Sequence, residues 1–428
     1  MFEKITRFVL HYQSYGKMKR TVAVAGNSGP KVRSDCEISL ELKTDGNINI
    51  DLTSKVKTLY GDSINNLIRE ILDYFGIKHA EVKINDSGAL PFVIAARMES
   101  AVKQLISTDI EFLPAFLEEN RYSTTRDTSR FSRLYLPGNN PGLMINAGLH
   151  SADGIILDLE DSVAPEKKDE ARTLVRNALR QINFCGAERM VRINQGERGL
   201  EDLHFVIPHN VNLILIPKCE SADYIKQVER EIADIKRKDS LNNQVFLMPI
   251  IESALGIENS FAIVRGSEDV VAVAIGLEDY TADLGVARTI EGMESFYART
   301  RLVVAARAAG IQAIDSVFSD VADMESLRQT VLASKSLGFE GMGCIHPRQI
   351  NVIKQGFAPD QAEIEKAKKI VQAFETAKRN GSGVIALGSK MIDPPVVARS
   401  QKIIDLAIKL GLLSSGWLSE IPPFENQA

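Results

Sequence analysis

The chain has 428 residues, 44% of them hydrophobic and 25% charged, enough to bury a large core in two or more domains. Lys and Arg total 51 against 56 Asp and Glu, a net charge of −5 with no long basic run, which argues against nucleic acid as a partner. No apolar run reaches membrane-spanning length, and Cys36, Cys185, Cys219 and Cys344 lie scattered without CxxC spacing, the usage of reduced thiols in a cytoplasmic protein.

The first 19 residues read as a leader without the apolar h-region and cleavage site of a signal peptide, and Met18 is a candidate start. Residues 20–108 then alternate in period two through "CEISLEL", "NINIDL" and "AEVKI" around one helical run, "SINNLIREILDYF". This pattern predicts a small α+β domain of antiparallel strands and one helix. A polar segment at 109–128, "EENRYSTTRDTS" within it, reads as a linker.

From residue 129 to 350 the texture changes. Short apolar strands recur ("RLYLPG", "GIILDL", "MVRIN", "LILIPK", "VFLMPIIE", "VVAVAIG", "IQAIDSV", "GMGCIHP"), separated by helical segments such as Ala164–Gln181, Glu220–Arg237, Met293–Ala309 and Met324–Leu337. Eight strands alternating with helices predict an α/β fold, a (β/α)₈ TIM barrel; the alternative, a doubly wound open sheet, lacks its GxGxxG turn. Residues 351–428 read as a helical C-terminal extension.

In such a barrel the C-terminal ends of the strands hold the chemistry. Those ends carry Asp158, Glu160 and Asp161 after the second strand, Arg192 after the third, Lys218 after the fourth and Glu252 after the fifth. Glu278 and Asp279 follow the sixth, Asp315 the seventh and His346 the eighth. A rim this rich in acids suits a hard divalent cation, and Mg²⁺ takes one or two carboxylates plus waters and substrate oxygens. Glu252 and Asp279 are the candidate ligands, Asp279 competing with a helix-cap reading. Asp158, Glu160 and Asp161 are placed around the cation's water shell. Arg192 reads as a clamp for a carboxylate or carbonyl. A Schiff-base role for Lys218 carries little weight, since nothing in the pattern depresses its pKa. Asp315 and His346 read as structural or supporting residues.

"RLYLPGNNPGLM", "GIILDLEDSVAPEKKDEAR", "VRIN", "IPKCES", "PIIESALGI", "AIGLEDYTADLGVART", "AARAAGIQAIDSVFSD" and "SKMIDPPVVAR" occur in the order and spacing of one family. Over residues 130–400 the chain closely resembles the citrate lyase β subunit and the related malyl-CoA and citramalyl-CoA lyases. "TVAVAG", "YGDSINNLIREIL" and "INDSGALPFVIAARMESAVKQL" make residues 20–105 resemble the γ subunit of citrate lyase, its acyl carrier protein. The resemblance implies a Mg²⁺-dependent oxo-acid lyase that cleaves a citryl-type 3-hydroxy-3-carboxyacyl thioester to acetyl thioester and oxaloacetate, with its carrier fused in cis. It further implies Arg192 and Glu252 at the substrate, Asp393 of "MIDPP" as acid/base at the thioester methyl (the sequence alone favours a cap before Pro394 there), and a phosphoribosyl-dephospho-CoA arm on a serine. The family serine stands two residues before the Asp, where this chain has Arg33; Ser34 is the nearest candidate and Ser28 the second. An acyl-transferase partner of the citrate lyase α type and a homo-oligomer belong to the same implication. The alternatives are a malyl-CoA or citramalyl-CoA lyase acting on free CoA thioesters, and a non-catalytic carrier scaffold.

Overall fold

The computed structural model describes residues 21–379, 385–387 and 390–418; the leader, Met18 included, and parts of the Gly-rich loop after residue 379 lie outside the described residues. The chain forms two compact units. One runs to Val321 and takes in Leu337–Ile350; the other comprises Ala322–Ser336 and Asn351 onward.

The first unit opens with a four-stranded sheet in the order β1-β2-β4-β3, from β1 (Val22–Gly26), β2 (Cys36–Leu42), β3 (Ile48–Ser54) and β4 (Ala80–Asp86). Two expectations are corrected here. The sheet is mixed: β3 and β4 run parallel, because α1 (Lys57–Tyr74) is long enough to carry the chain back across as a crossover. A second helix, α2 (Pro91–Leu105), was hidden from a period-based reading because every residue from Phe92 to Val102 is buried, so no polar face marks it. The domain's core gathers Ile38, Leu40, Ile68, Ile71, Phe75, Val82 and Met98.

The buried faces of α2 divide between that sheet and α3 (Lys168–Gln181), a helix of the domain that follows. Charged groups cross this contact in two clusters. Arg97 Nε and Nη2 donate to the two oxygens of Asp35 at 3.0 and 2.9 Å, and its Nη1 lies 3.4 Å from Glu170 on α3. Glu170 also accepts from the Gly26 N–H at 2.8 Å, while Lys167 Nζ donates to the Gly26 carbonyl. In the second cluster Arg176 Nη1 and Nη2 donate to Glu99 Oε1 and Oε2, both at 2.8 Å, and Asn177 donates to the Phe92 carbonyl. Each buried charge keeps a hydrogen-bonded counter-charge, the condition under which burial is tolerated. The connecting segment lies against the barrel: Leu117 N–H donates to the Arg180 carbonyl, and the Arg180 guanidinium stacks 3.8 Å above the Phe116 ring.

Eight parallel strands then close into the expected barrel: β5 (Ser132–Pro137), β6 (Gly154–Asp158), β7 (Glu188–Arg192), β8 (Leu213–Ile216), β9 (Phe246–Ile251), β10 (Ala272–Ile275), β11 (Gln312–Asp315) and β12 (Gly341–Cys344). β12 pairs with β5 to complete the ring. The strands are short and apolar throughout because the interior and the helical layer cover both their faces. Ile156, Met190, Leu215, Met248, Ile250 and Ile314 fill the interior.

The second unit contains the helices Gln361–Arg379 and Pro394–Lys409, joined through Ala367, Val371, Ile404 and Trp417, and a pair of three-residue antiparallel strands, Ile385–Leu387 and Lys390–Ile392.

Candidate active site

The closed barrel brings the strand-end residues together. A cavity of about 370 Å³ at the C-terminal face is lined by Tyr135, Asp158, Asp161, Arg192, Glu252 and Asp279 among others. β6 and β7 pair with Asp158 opposite Arg192, so the acid and the guanidinium meet as neighbours in register. Arg192 Nε and Nη2 each lie 2.7 Å from one Asp158 oxygen, Nη1 is 3.0 Å from Glu160 Oε2, and the Tyr135 ring faces the guanidinium at 5.4 Å. Burial alone raises the Asp158 carboxyl, but the bonds and charge of Arg192 outweigh it and hold the group below its ordinary range. Glu160, more weakly compensated, is pushed up by burial.

Across the cavity Glu252, at the end of β9, is 5% exposed. Its Oε1 accepts the Lys218 backbone N–H at 2.7 Å. Lys218 holds φ of 45°, a left-handed conformation unusual for lysine, and strain of this kind collects at functional sites. The other face of Glu252 rests on Gly276, where a methyl group would come 2.4 Å from Oε2. Burial pushes the Glu252 carboxyl up to about 8; the Lys218 N–H works against this, and the charges of Asp279 and Glu160 add to it.

Asp279 lies in the first turn of the helix Leu277–Leu284, whose N-cap is Gly276, so it is not the cap that its sequence context also allowed. Lys218 Nζ stands 3.3 Å from Asp279 and 3.8 Å from both Glu160 and Asp161. Desolvation lowers the pKa of this amine, but Asp161, Glu160 and Asp279 together raise it further, which keeps it a cation and unsuited to Schiff-base chemistry. Asp315 is paired with Arg299, and Glu278 with Arg288 at 2.7 Å.

Asp158, Glu160, Asp161, Glu252 and Asp279 thus stand about the cations Arg192 and Lys218, five carboxyl groups to two cations. The residues fit one divalent ion: two oxygen ligands from adjacent strand ends, one of them a carboxyl whose ionisation is held back by burial first and by like charge second. Among the described residues no three His, Cys, Asp or Glu side chains cluster as a metal cage.

A second cavity, about 660 Å³, shares Tyr135, Asp158, Ser162 and Ile345 with the first and adds Gly142, Leu143, His150 and His346. The loop bearing Ser28 and Ser34 borders it, since a methyl group on Gly142 would lie 2.9 Å from the Arg33 carbonyl oxygen. Ser34 is half-buried with φ of 56°, and its N–H donates to Ser87. Asp393 belongs to the second unit, where its carboxylate caps the helix Pro394–Lys409 by accepting from Val396 N–H.

Arg133 and Tyr135 were missed among the site residues. The alternation in "SRLYLP" places both on one strand face, a signal available in the sequence once the barrel is assumed.

A family model for the HpcH/HpaI aldolase/citrate lyase family matches residues 132–347, and one for the malonate decarboxylase delta subunit, an acyl carrier protein family, matches residues 21–105. The citrate lyase subunit beta of Leuconostoc mesenteroides subsp. cremoris is 38% identical over 285 residues, covering 65% of this chain and 93% of that protein. The human mitochondrial citramalyl-CoA lyase is 32% identical over 289 residues, 65% of this chain and 85% of that one. Among solved structures, CitE from Mycobacterium tuberculosis in complex with magnesium, acetoacetate and coenzyme A matches with a TM-score of 0.55 and 26% identity, covering 66% of this chain and 99% of that one. Barrel, cavity and comparisons agree: the chain belongs to the HpcH/HpaI aldolase/citrate lyase family and is a carbon–carbon lyase.

Proposed function

We propose that the chain cleaves a citryl-type thioester to acetyl thioester and oxaloacetate. The observation that carries this reading is the convergence of Glu252, Asp279 and Arg192 on one acid-rich cavity. Cleavage removes the proton of the C3 hydroxyl and breaks the C2–C3 bond. The electron pair passes into the thioester enolate, whose carbon then takes a proton to become the acetyl methyl. Mg²⁺ held by Glu252 and Asp279 would polarise the oxygens of the emerging 2-oxo acid. Arg192, aimed in advance by Asp158, holds the carboxylate end; Asp158, Glu160 and Asp161 fix Arg192 and would accept from waters on a bound ion. Asp393 moves the proton at the methyl carbon, from a neighbouring copy of the chain in a homo-oligomer.

The same reading gives Ser34, or Ser28, a phosphoribosyl-dephospho-CoA arm that delivers the acyl group in cis, at an effective concentration that replaces subunit affinity. A separate acyl-transferase subunit would load it. Four free cysteines support a cytoplasmic setting.

A second reading, cleavage of free malyl-CoA or citramalyl-CoA, draws support from Arg33 at the place of the carrier serine and from the magnesium and coenzyme A bound by the similar mycobacterial protein. Assays of citryl-CoA, malyl-CoA and citramalyl-CoA with and without Mg²⁺ separate the readings. Mg²⁺-dependent release of oxaloacetate from citryl-CoA is expected. Cleavage of only the other two moves the substrate to the second reading, and cleavage of none overturns both.

A further inference from the structure

Arg133 sits at the beginning of β5 with its side chain inside the barrel. The residues in register with it on both flanking strands are glycines, Gly154 on β6 and Gly343 on β12. A methyl group on Gly154 would come 2.5 Å from Met190 Cε and 3.5 Å from Arg133 Cγ; one on Gly343 would come 3.1 Å from the Tyr135 ring. The two glycines clear the interior for long side chains on β5.

Arg133 is 1% exposed, and burial pulls its pKa down. Its Nη1 donates to Met248 Sδ at 2.9 Å, and its Nε has no partner. Among the described residues Arg133 is in no ion pair. Three other fully buried arginines have a carboxylate, Arg97 with Asp35, Arg130 with Glu188 and Arg176 with Glu99. Arg189, in no ion pair among the described residues, donates to the oxygens of Tyr122 and Asn210. Arg133 differs from all four in having a thioether as its hydrogen-bond acceptor. Burying an uncompensated charge costs several kcal/mol, and a thioether is a weak acceptor that returns little of it. Arg192, by contrast, already has three carboxylates against it, Asp158, Glu160 and Asp161. Arg133 lines the same cavity as Arg192, Glu252 and Asp279 and approaches it from the opposite end of the strands.

We propose that Arg133 receives a second, distal carboxylate of the substrate, so that the cavity selects dicarboxylic over monocarboxylic 2-oxo acids. The planar fork of a guanidinium matches a carboxylate bidentately, which gives the unpartnered Nε its acceptor. Which acid is bound rests on the lyase reading above; that a dicarboxylate is preferred does not.

The test is calorimetric titration of the full chain, with Mg²⁺ present, using oxaloacetate and pyruvate as probes that differ by the distal carboxylate. Wild type should bind oxaloacetate the more tightly. Arg133→Met should lose oxaloacetate affinity on the order of 10²-fold, the scale of truncating one partner of a buried charge pair, and keep pyruvate affinity within about twofold. Unchanged oxaloacetate binding in folded Arg133→Met overturns the proposal. Should that variant not fold, equal affinities of wild type for the two acids overturn it, and a wild-type preference for oxaloacetate supports it. A protein that shows this preference and cleaves no thioester keeps the proposal and loses only the lyase substrate reading.

Discussion

Arg192 and Asp158 form a side-on fork, both contacts 2.7 Å, between neighbouring strand ends. The guanidinium plane is therefore fixed before any substrate arrives. Arg192→Lys replaces the fork with a point charge that cannot hold both oxygens. We expect kcat/KM to fall on the order of 10²-fold with the thermal midpoint little changed, the scale of losing one charge-stabilising donor. Steady-state kinetics with a melting curve checks this, and wild-type kinetics would reduce Arg192 to a structural ion-pair partner.

Gly276 gives Glu252 its position by having no side chain, since a methyl group there would lie 2.4 Å from Oε2. Gly276→Ala should therefore weaken Mg²⁺ binding without altering any charge. Glu252→Gln and Asp279→Asn should weaken it by removing a charge at constant volume. Calorimetric Mg²⁺ affinity at least about tenfold lower in each is expected, one lost oxygen ligand being worth that much or more. Undiminished affinity in Glu252→Gln or Asp279→Asn defeats that residue's assignment as a ligand.

The barrel was legible in the sequence because a strand covered on both faces must be a short apolar run, and because the polar residues ending such runs are too costly to bury without purpose. Glu252 after "MPII" and Asp279 after "VAIGLE" stood out for that reason. What escaped was decided by partners distant in sequence. Helix α2 is buried on every side because two domains cover it, with Arg97 and Glu99 buried among its apolar residues, so no polar face marked its period. Arg133 is one charge at a strand start in the sequence; only the register that sets Gly154 and Gly343 beside it places it in the interior. The crowding of Asp158, Glu160 and Asp161 was visible, whereas their joint commitment to Arg192 and Lys218 required the closed ring.

His209 is buried, and burial, with the nearby charges of Arg176 and Arg180, lowers its pKa from 6.5 to about 3. In the unfolded chain the ring takes up a proton near 6.5, so between these values the unfolded state binds more protons than the native one. Stability then falls as pH drops through 6.5, by ~1.4 kcal/mol per unit, or about 2 kcal/mol by pH 5. Urea unfolding at pH 7 and pH 5 should show this loss. His209→Asn, less stable at pH 7, should show a shallower decline between the two; an equal slope assigns the acid sensitivity elsewhere.

Ser34 is the expected attachment residue if the chain carries an arm, with Lys31 and Arg33 exposed beside it to meet phosphates. Peptide mapping of protein co-produced with its modifying enzymes should find the added mass on Ser34 and lose it in Ser34→Ala. Addition on Ser28 corrects the position, and absence from both sides with free CoA thioesters.

Glu99 is fully buried, and removing it leaves Arg176 with only Glu111 and Asn177. Glu99→Ala should cost about 3–5 kcal/mol, the range for breaking a buried pair from one side. Denaturant unfolding measures it, and a loss under about 1 kcal/mol would mean that water fills the gap and solvates Arg176.

The clusters joining α2 to α3 bear on how this polypeptide can be taken apart. The two regions match two separate family models, yet each half lacks something that only the other holds. A barrel freed of residues 21–105 would keep Arg176 and Glu170 and lose Glu99, Arg97 and the Gly26 N–H that answer them. A freed carrier would keep Glu99 and Arg97 on a face evolved to stay dry. Modularity has been traded for a common fate: the two halves should melt in one transition, and supplying one in trans to the other would have to rebuild a dry ionic contact from solution.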